Sequence, residues 1–150
     1  MRNLTRINLP KHVSIEEISN YEGNFNLKLP IQLIDLIENY NSTSVEEALF
    51  DSDDTWIINF FLGFDGEHSS ITNLTEEIND NGTVEYIPFA MDPGGWHFCF
   101  CVNETEYGAI YVFRWTDHSP ENAFLKIASG LSEFIDKLYK YKSPVERNTD

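Results

Sequence analysis

The sequence predicts an α+β fold: a mainly antiparallel sheet flanked by N-terminal helices and a C-terminal helix. Three observations carry this. Apolar residues recur at helical spacing near the two ends of the chain, around Ile31–Tyr40 and Leu131–Leu138. Between them lie strand-like runs joined by connections too short for parallel crossovers. The densest apolar stretches, Ile87–Val102 and Tyr107–Trp115, are separated only by the polar residues Asn103-Glu104-Thr105-Glu106, with Gly108 just beyond them. Helices, then a run of strands, then a helix is the order of an α+β domain. At 150 residues the chain reads as one domain, large enough to bury roughly 70% of its unfolded surface.

Taken in order, residues 1–13 read as a loosely held arm. Ser14-Ile15-Glu16-Glu17 is a capping box, in which serine caps a helix and Glu17 reaches back. Ile15 and Ile18 form the stripe of that helix, and Asn24 and Asn26 mark its exit. Leu29-Pro30 opens a second helix, because proline suits a first turn where no amide donor is needed. Ile31, Leu33, Ile34, Leu36, Ile37 and Tyr40 give it a wide apolar stripe. Ser44-Val45-Glu46-Glu47 repeats the capping pattern and predicts a single helical turn. Asp51-Ser52-Asp53-Asp54 is an acidic loop, and Trp56–Leu62 is a strand ended by Gly63. Asp65-Gly66 is a turn, Thr72–Ile78 a helix, Asn81-Gly82 a turn and Val84–Phe89 a strand.

Asp92-Pro93-Gly94-Gly95 is the central turn. Proline presets φ and glycine accepts the positive φ other residues resist. Beyond it, Trp96, Phe98, Phe100 and Val102 share one face of a strand, and His97, Cys99 and Cys101 the other. The first set is expected to be mostly buried against the helix carrying Leu33 and Ile37. Ala109, Tyr111, Phe113 and Trp115 alternate with Ile110, Val112 and Arg114, completing a hairpin. Phe124–Ile127 is a short strand. Ser129-Gly130 opens the last helix, with Leu131, Phe134, Ile135 and Leu138 on its stripe, and residues from 143 onward read as a tail.

Charge is the strongest global feature. The net charge is −15, and the stretch Glu16–Glu121 carries 21 acidic residues against only Lys28 and Arg114. Such a field repels nucleic acid and anionic membranes and attracts basic partners. The plain alternative is that it serves solubility. No apolar run reaches the roughly 20 residues of a membrane span, and no apolar segment follows Met1-Arg2, so the expected location is the cytoplasm. Two cysteines two residues apart on a strand do not form a disulfide framework.

Motifs for chemistry are few. Pro93-Gly94-Gly95 lacks the spacing and lysine of a phosphate-binding loop. Asp51, Asp53 and Thr55 have the start of a calcium-loop spacing, but Trp56 stands where glycine is needed and Leu62 where glutamate is needed. His97, Cys99 and Cys101 share a face, but neighbours on a strand face are about 6–7 Å apart. No fourth zinc ligand accompanies them. No metal and no cofactor is expected. A small cysteine hydrolase would pair Cys99 or Cys101 with His97 or His118, in surroundings whose acidity disfavours thiolate. Adjacency of His68, Ser69 and Ser70 is not a triad. Trp96, Trp115, Tyr107 and Tyr111 fit either a stacking surface or sheet core with a partly exposed edge.

The chain resembles the SUKH superfamily. The resemblance rests on Leu29-Pro30 with its helix and Tyr40-Asn41. It continues through Ile87-Pro88-Phe89-Ala90, Asp92-Pro93-Gly94-Gly95 and Phe98-Cys99-Phe100. Gly108-Ala109-Ile110-Tyr111 with Trp115, and the helix from Leu131, complete it. It runs from about residue 14 to 141 in the family's order. Trp96 stands where asparagine is common in the family, and Cys101 where aspartate often closes the strand, so the scaffold carries over and no particular binding residue does. The resemblance implies a curved antiparallel sheet flanked by helices and a non-enzymatic role. Bacterial members are largely immunity proteins that neutralise polymorphic toxins, often nucleases; fungal relatives regulate cell-wall synthesis. Together with the acidic excess, this leads to an expected partner: a basic toxin domain, held by carboxylates on loops beside the sheet. Those expected contacts are Asp51, Asp53, Asp54, Glu104, Glu106 and Asp117.

Overall fold

A computed structural model describes residues 1–65, 69–79 and 82–142. Gly66 and Asn81 of the two expected turns, His68, and the tail from 143 lie outside the described residues. Helix α1 spans Ile15–Phe25 and α2 Ile31–Tyr40. Strands β1 (Leu49–Asp51) and β2 (Thr55–Ile57) pair as a small antiparallel hairpin. Strand β3 (Phe60–Phe61) precedes helix α3 (Ile71–Ile78). Strands β4 (Tyr86–Met91), β5 (His97–Cys101), β6 (Ile110–Phe113) and β7 (Phe124–Ala128) follow, and helix α4 is Leu131–Asp136. Strands β3-β4-β5-β6-β7 form one antiparallel sheet in chain order. Register shifts between Pro88 and Ala90, and between Ile110 and Tyr111, introduce bulges, which bend a sheet.

The local signals explain most of these elements. Ser14 Oγ accepts from Glu17 N at 3.1 Å, and Glu17 Oε1 accepts from Ser14 N at 3.1 Å, so the capping box is closed in both directions. Asn26 ends α1 in the left-handed conformation that asparagine tolerates. In the central turn, Asp92 Oδ1 accepts from Gly94 N at 2.9 Å and from Trp96 N at 2.8 Å, and Gly95 takes φ +93°.

Four local expectations are corrected. Ser44–Glu47 forms no helical turn: Val45 makes a bridge with Arg6, and Glu47 accepts from Thr5 N at 2.8 Å and Thr5 Oγ1 at 3.0 Å. The same contacts tie down residues expected to form a loose arm. Leu4 is buried, and its N–H donates to Tyr40 Oη at 2.8 Å. The expected strand Trp56–Leu62 is two strands, because the backbone changes partner within it. Ile58 N donates to Ala48 O, and the next amide, Asn59 N, donates to Met91 O of the large sheet. Ile15 and Ile31 do not join their helices' buried stripes; they are 84% and 85% exposed, and Tyr21 is the residue α1 buries.

All five residues of β5 are buried, because both faces of the sheet are covered. On one face Phe98, Phe100, Ile87, Phe89, Ile110 and Val112 join a continuous core with Leu33, Leu36 and Ile37 of α2 and Leu131, Phe134 and Ile135 of α4. Phe98 meets the ring of Phe134 at 5.7 Å, so its aromatic partner is on α4. Helix α3 packs on β4, and its Leu74 and Ile78 share a groove with Met91, His97 and Phe113 of the opposite face. Tyr21 Oη and Thr75 Oγ1 lie 2.9 Å apart and join α1 to α3. Trp96 and Val102, expected in the core, are only half-buried, because they flank β5 where the sheet meets its turns.

Candidate functional site

The Asp92–Gly95 turn, the tip of the β1–β2 hairpin and the loop after β6 meet at one end of the sheet. All three tryptophans of the chain are there, and each indole N–H secures a loop. Trp56 Nε1 donates to Ser52 Oγ at 2.9 Å, Trp96 Nε1 to Thr116 Oγ1 at 2.8 Å and Trp115 Nε1 to Gly95 O at 2.9 Å. The rings form a row: Trp56 to Trp96 at 6.2 Å, and Trp96 edge-on to His118 at 5.6 Å. Trp115 is 50% exposed. Between the hairpin tip and the turn is an open depression of about 440 Å³, lined by Asp54, Trp56, Asp92, Pro93 and Trp96 among others.

Acidic residues stand on the loops beside the row. Asp53 and Asp54 sit at the hairpin tip, whose turn is closed by Ser52 N donating to Asp54 O at 2.9 Å. Asp117 sits beyond Trp115 with φ +63°, a left-handed conformation that aspartate adopts more readily than most residues. All three are exposed. Asp51 is differently employed: its Oδ1 accepts from Thr55 Oγ1 and Tyr139 Oη, each at 2.8 Å, and so stabilises the hairpin.

Glu104 and Glu106 belong to the loop between β5 and β6, at the far end of β5. Five residues of strand separate them from the Asp92 turn, a span of roughly 16 Å at ~3.3 Å per residue. Glu106 Oε2 accepts from Lys126 Nζ at 2.9 Å, which raises the lysine's pKa. The six carboxylates expected from sequence therefore fall into two groups, and the structure brings Asp51, Asp53, Asp54 and Asp117 to the tryptophan end. Trp56 and Asp92 are not expected there from loop charge alone. The available signal is local: Asp54-Thr55-Trp56, Asp92 to Trp96, and Trp115-Thr116-Asp117 each place a tryptophan close to an aspartate.

The chemistry of the sheet's other candidates is restrained. Cys99 and Cys101 are free and buried. Burial pushes the Cys99 thiol well up, with Cys101 adding to it, and burial also raises Cys101. Burial lowers the His97 pKa, against smaller opposing effects of the Trp96 backbone and Asp92. Among the described residues, no three His, Cys, Asp or Glu side chains come together as a metal cluster. No described helix is long and apolar enough to cross a membrane.

The family model for SMI1 / KNR4 (SUKH-1) matches residues 12–137, from the approach to α1 through the end of α4. The chain belongs to the SMI1/KNR4 family (SUKH-1). Membership supports a role as an immunity protein or as a regulator of cell-wall synthesis, and the family is generally non-enzymatic. No curated protein matches the chain. In this SUKH-1 chain, Trp96 and Cys101 have clear local roles. Trp96 anchors the loop after β6, and Cys101 pairs opposite Tyr86 inside the sheet.

Proposed function

We propose that this SUKH-1 protein is an immunity protein that acts in the cytoplasm. It binds a basic toxin domain, of the nuclease class, and blocks it stoichiometrically without catalysis. The observation that carries the reading is the tryptophan end of the sheet. Three indoles, fixed by hydrogen bonds, stand beside two loops that carry the exposed residues Asp53, Asp54 and Asp117, in a chain of net charge −15. Buried tryptophan anchors dominate many protein interfaces, while surrounding charges set association rate and specificity. A nuclease holds its anionic substrate with a basic surface, and an acidic partner competes for that surface. A thiol hydrolase fits poorly, since both cysteines are buried and their thiols are shifted away from thiolate.

The test is to look for a toxin in the neighbouring reading frame, co-express its toxin domain with this protein, and titrate the pair in a nuclease assay. Protection of the cells, with inhibition complete at one equivalent, is the expected result. Unprotected cells would remove the immunity reading. Family membership also supports the regulatory role, and a pull-down from a toxin-free strain separates the two: recovery of cell-wall synthesis components favours regulation.

A further inference from the structure

The edge of the small hairpin nearest the Asp92–Gly95 turn is an open strand edge. Leu49 N donates to Tyr139 O at 3.1 Å, and Tyr139 N donates to Leu49 O at 2.9 Å, so the backbone groups of Leu49 point away from β2. Leu49 stands opposite Ile57, and Asp51 opposite Thr55, so both are non-hydrogen-bonded pairs of the ladder. The N–H and C=O groups of Thr55 and Ile57 therefore point away from β1. The next residues keep the alternation: Ile58 N donates to Ala48 O, and Asn59 N donates to Met91 O. Thr55, Ile57 and Asn59 thus aim their amides the same way, and only Asn59 meets a strand there. The reason is that β4 ends at Met91 and the chain turns away at Asp92. The ladder partner of β2 is β1 alone, and no hydrogen bond among the described residues engages the outward backbone groups of Thr55 or Ile57. Where a further strand would run is the depression of about 440 Å³, with Thr55 and Ile57 on one side and Asp92, Pro93 and Gly94 on the other. Thr55 is exposed and Ile57 is 44% exposed, so solvent reaches this edge.

We infer that this edge takes an extended segment of the partner protein as an added strand, and that the segment carries lysine or arginine. Unpaired N–H and C=O groups along a strand edge are a template for another chain. A segment lying beside β2 pairs its own backbone with Thr55 and Ile57, and its side chains then decide which segment is preferred. The charge of the occupant follows from the lining: Asp54 and Asp92 border the depression, and no lysine or arginine does. Asp92 holds its turn through Oδ1 alone, which accepts from Gly94 N and Trp96 N. Its Oδ2 has no hydrogen-bond partner among the described residues and is left to face a cation. A second copy of this chain would bring another net charge of −15 to the same edge, and like charge opposes that pairing. That the segment belongs to a basic toxin domain rests on the function proposed above; the open edge and its preference for a cationic strand do not.

The test uses the intact protein and short peptides, read by NMR and hydrogen exchange of the Thr55 and Ile57 amides. In the free protein both amides should exchange quickly while that of Trp56, paired to Phe50, is protected. The capped peptide Val-Lys-Val-Lys-Val should shift the Thr55 and Ile57 amides saturably and slow their exchange. The same peptide N-methylated at every residue has no backbone donor and should not bind. Val-Glu-Val-Glu-Val should bind at least about fivefold more weakly, and Asp54→Lys should remove that preference. Ile57→Pro deletes an outward N–H at an edge, where proline is tolerated, so it should abolish peptide binding and leave the urea midpoint little changed. Slow exchange of both amides in the free protein, equal binding of the N-methylated peptide, or a preference indifferent to Asp54→Lys would each overturn the proposal, and none of these depends on how Ile57→Pro folds. Concentration-dependent dimerisation that protects the same two amides would give the edge to a second copy and likewise overturn it. Failure is separable from failure of the immunity reading. Peptide binding without toxin protection keeps the edge and removes its partner class; toxin protection with unmoved Thr55 and Ile57 amides removes the edge alone.

Discussion

Replacing Phe134 by alanine removes the ring on which three core aromatics meet. Phe134 is fully buried on α4, with centroids 4.8 Å from Phe50, 5.9 Å from Phe89 and 5.7 Å from Phe98. These neighbours come from the small hairpin and from two strands of the large sheet, so the cavity cannot close by moving one element. Burial of a phenylalanine side chain contributes ~1.5–3 kcal/mol. An unrelaxed cavity on the order of 80 Å³ adds ~2 kcal/mol at ~24 cal/mol per Å³. The expected loss is therefore ~4 kcal/mol, within the ~3–5 kcal/mol usual for this truncation. A domain of ordinary stability, ~5–15 kcal/mol, survives that loss but is visibly weakened. The assay is equilibrium urea unfolding. With a slope of ~2 kcal/mol per M, the midpoint should fall by ~2 M. Phe98→Ala should give a similar fall, and the double variant should show a coupling of ~0.5–1.5 kcal/mol between the two rings. Leu9→Ala, at an exposed position, should change stability by less than ~0.5 kcal/mol. A midpoint shift below ~0.5 M for Phe134→Ala would refute the packing on which this magnitude rests.

Further outcomes follow from the titratable groups. Both cysteines should resist alkylation near neutral pH in the folded protein and react on unfolding, because burial holds their thiols protonated; rapid modification of one thiol in the native state would restore the hydrolase reading. His97 has its folded pKa lowered by burial, so the stability it contributes is full above its ordinary 6.5 and is lost as pH falls through the lowered value. For Glu47, burial acts upward but is outweighed by hydrogen bonds from Thr5 and by the Arg2 charge, so its folded pKa is also lowered. Its contribution is full above its ordinary 4.5 and lost on further acidification, and Glu47→Gln should cost ~1–2 kcal/mol at pH 7 and nothing at pH 2, measured by urea midpoints across pH.

The central hairpin was the most legible part of the fold. Its alternation, the Asp92-Pro93-Gly94-Gly95 chemistry and the closing Gly108 all act locally, and β4, β5 and β6 follow them. Helices with a closed capping box or a strong stripe were legible for the same reason. The segment from Ser44 to Leu62 was not. Its capping-box spelling is overridden by Glu47 bonding to Thr5, a partner 42 residues away. Its two three-residue strands are too short for alternation to register, and the switch of partner at Ile58 and Asn59 depends on Met91. The proposed binding surface was legible in residue type only. Loop carboxylates are visible in the sequence, but which of them stand together depends on where the hairpin tip lands. Asp51 and Glu106 look like their exposed neighbours in the sequence, yet they are engaged by Thr55 with Tyr139 and by Lys126.

The most direct test of the proposed acidic surface is the rate of association with the proposed toxin domain, followed by stopped-flow tryptophan fluorescence at several salt concentrations. Two charge-reversed variants are compared with the natural protein: Asp53→Lys with Asp54→Lys and Asp117→Lys at the tryptophan end, and Glu104→Lys with Glu106→Lys at the far end. Exposed charges contribute little to stability, so the first set should keep its urea midpoint within the change allowed for surface sites. The first set should associate at least about tenfold more slowly at low salt, with the difference shrinking as salt screens it, and the second set should change by less than about threefold. Equal slowing by both sets, or association indifferent to the first set and to salt, would contradict the assignment of partner binding to the tryptophan end.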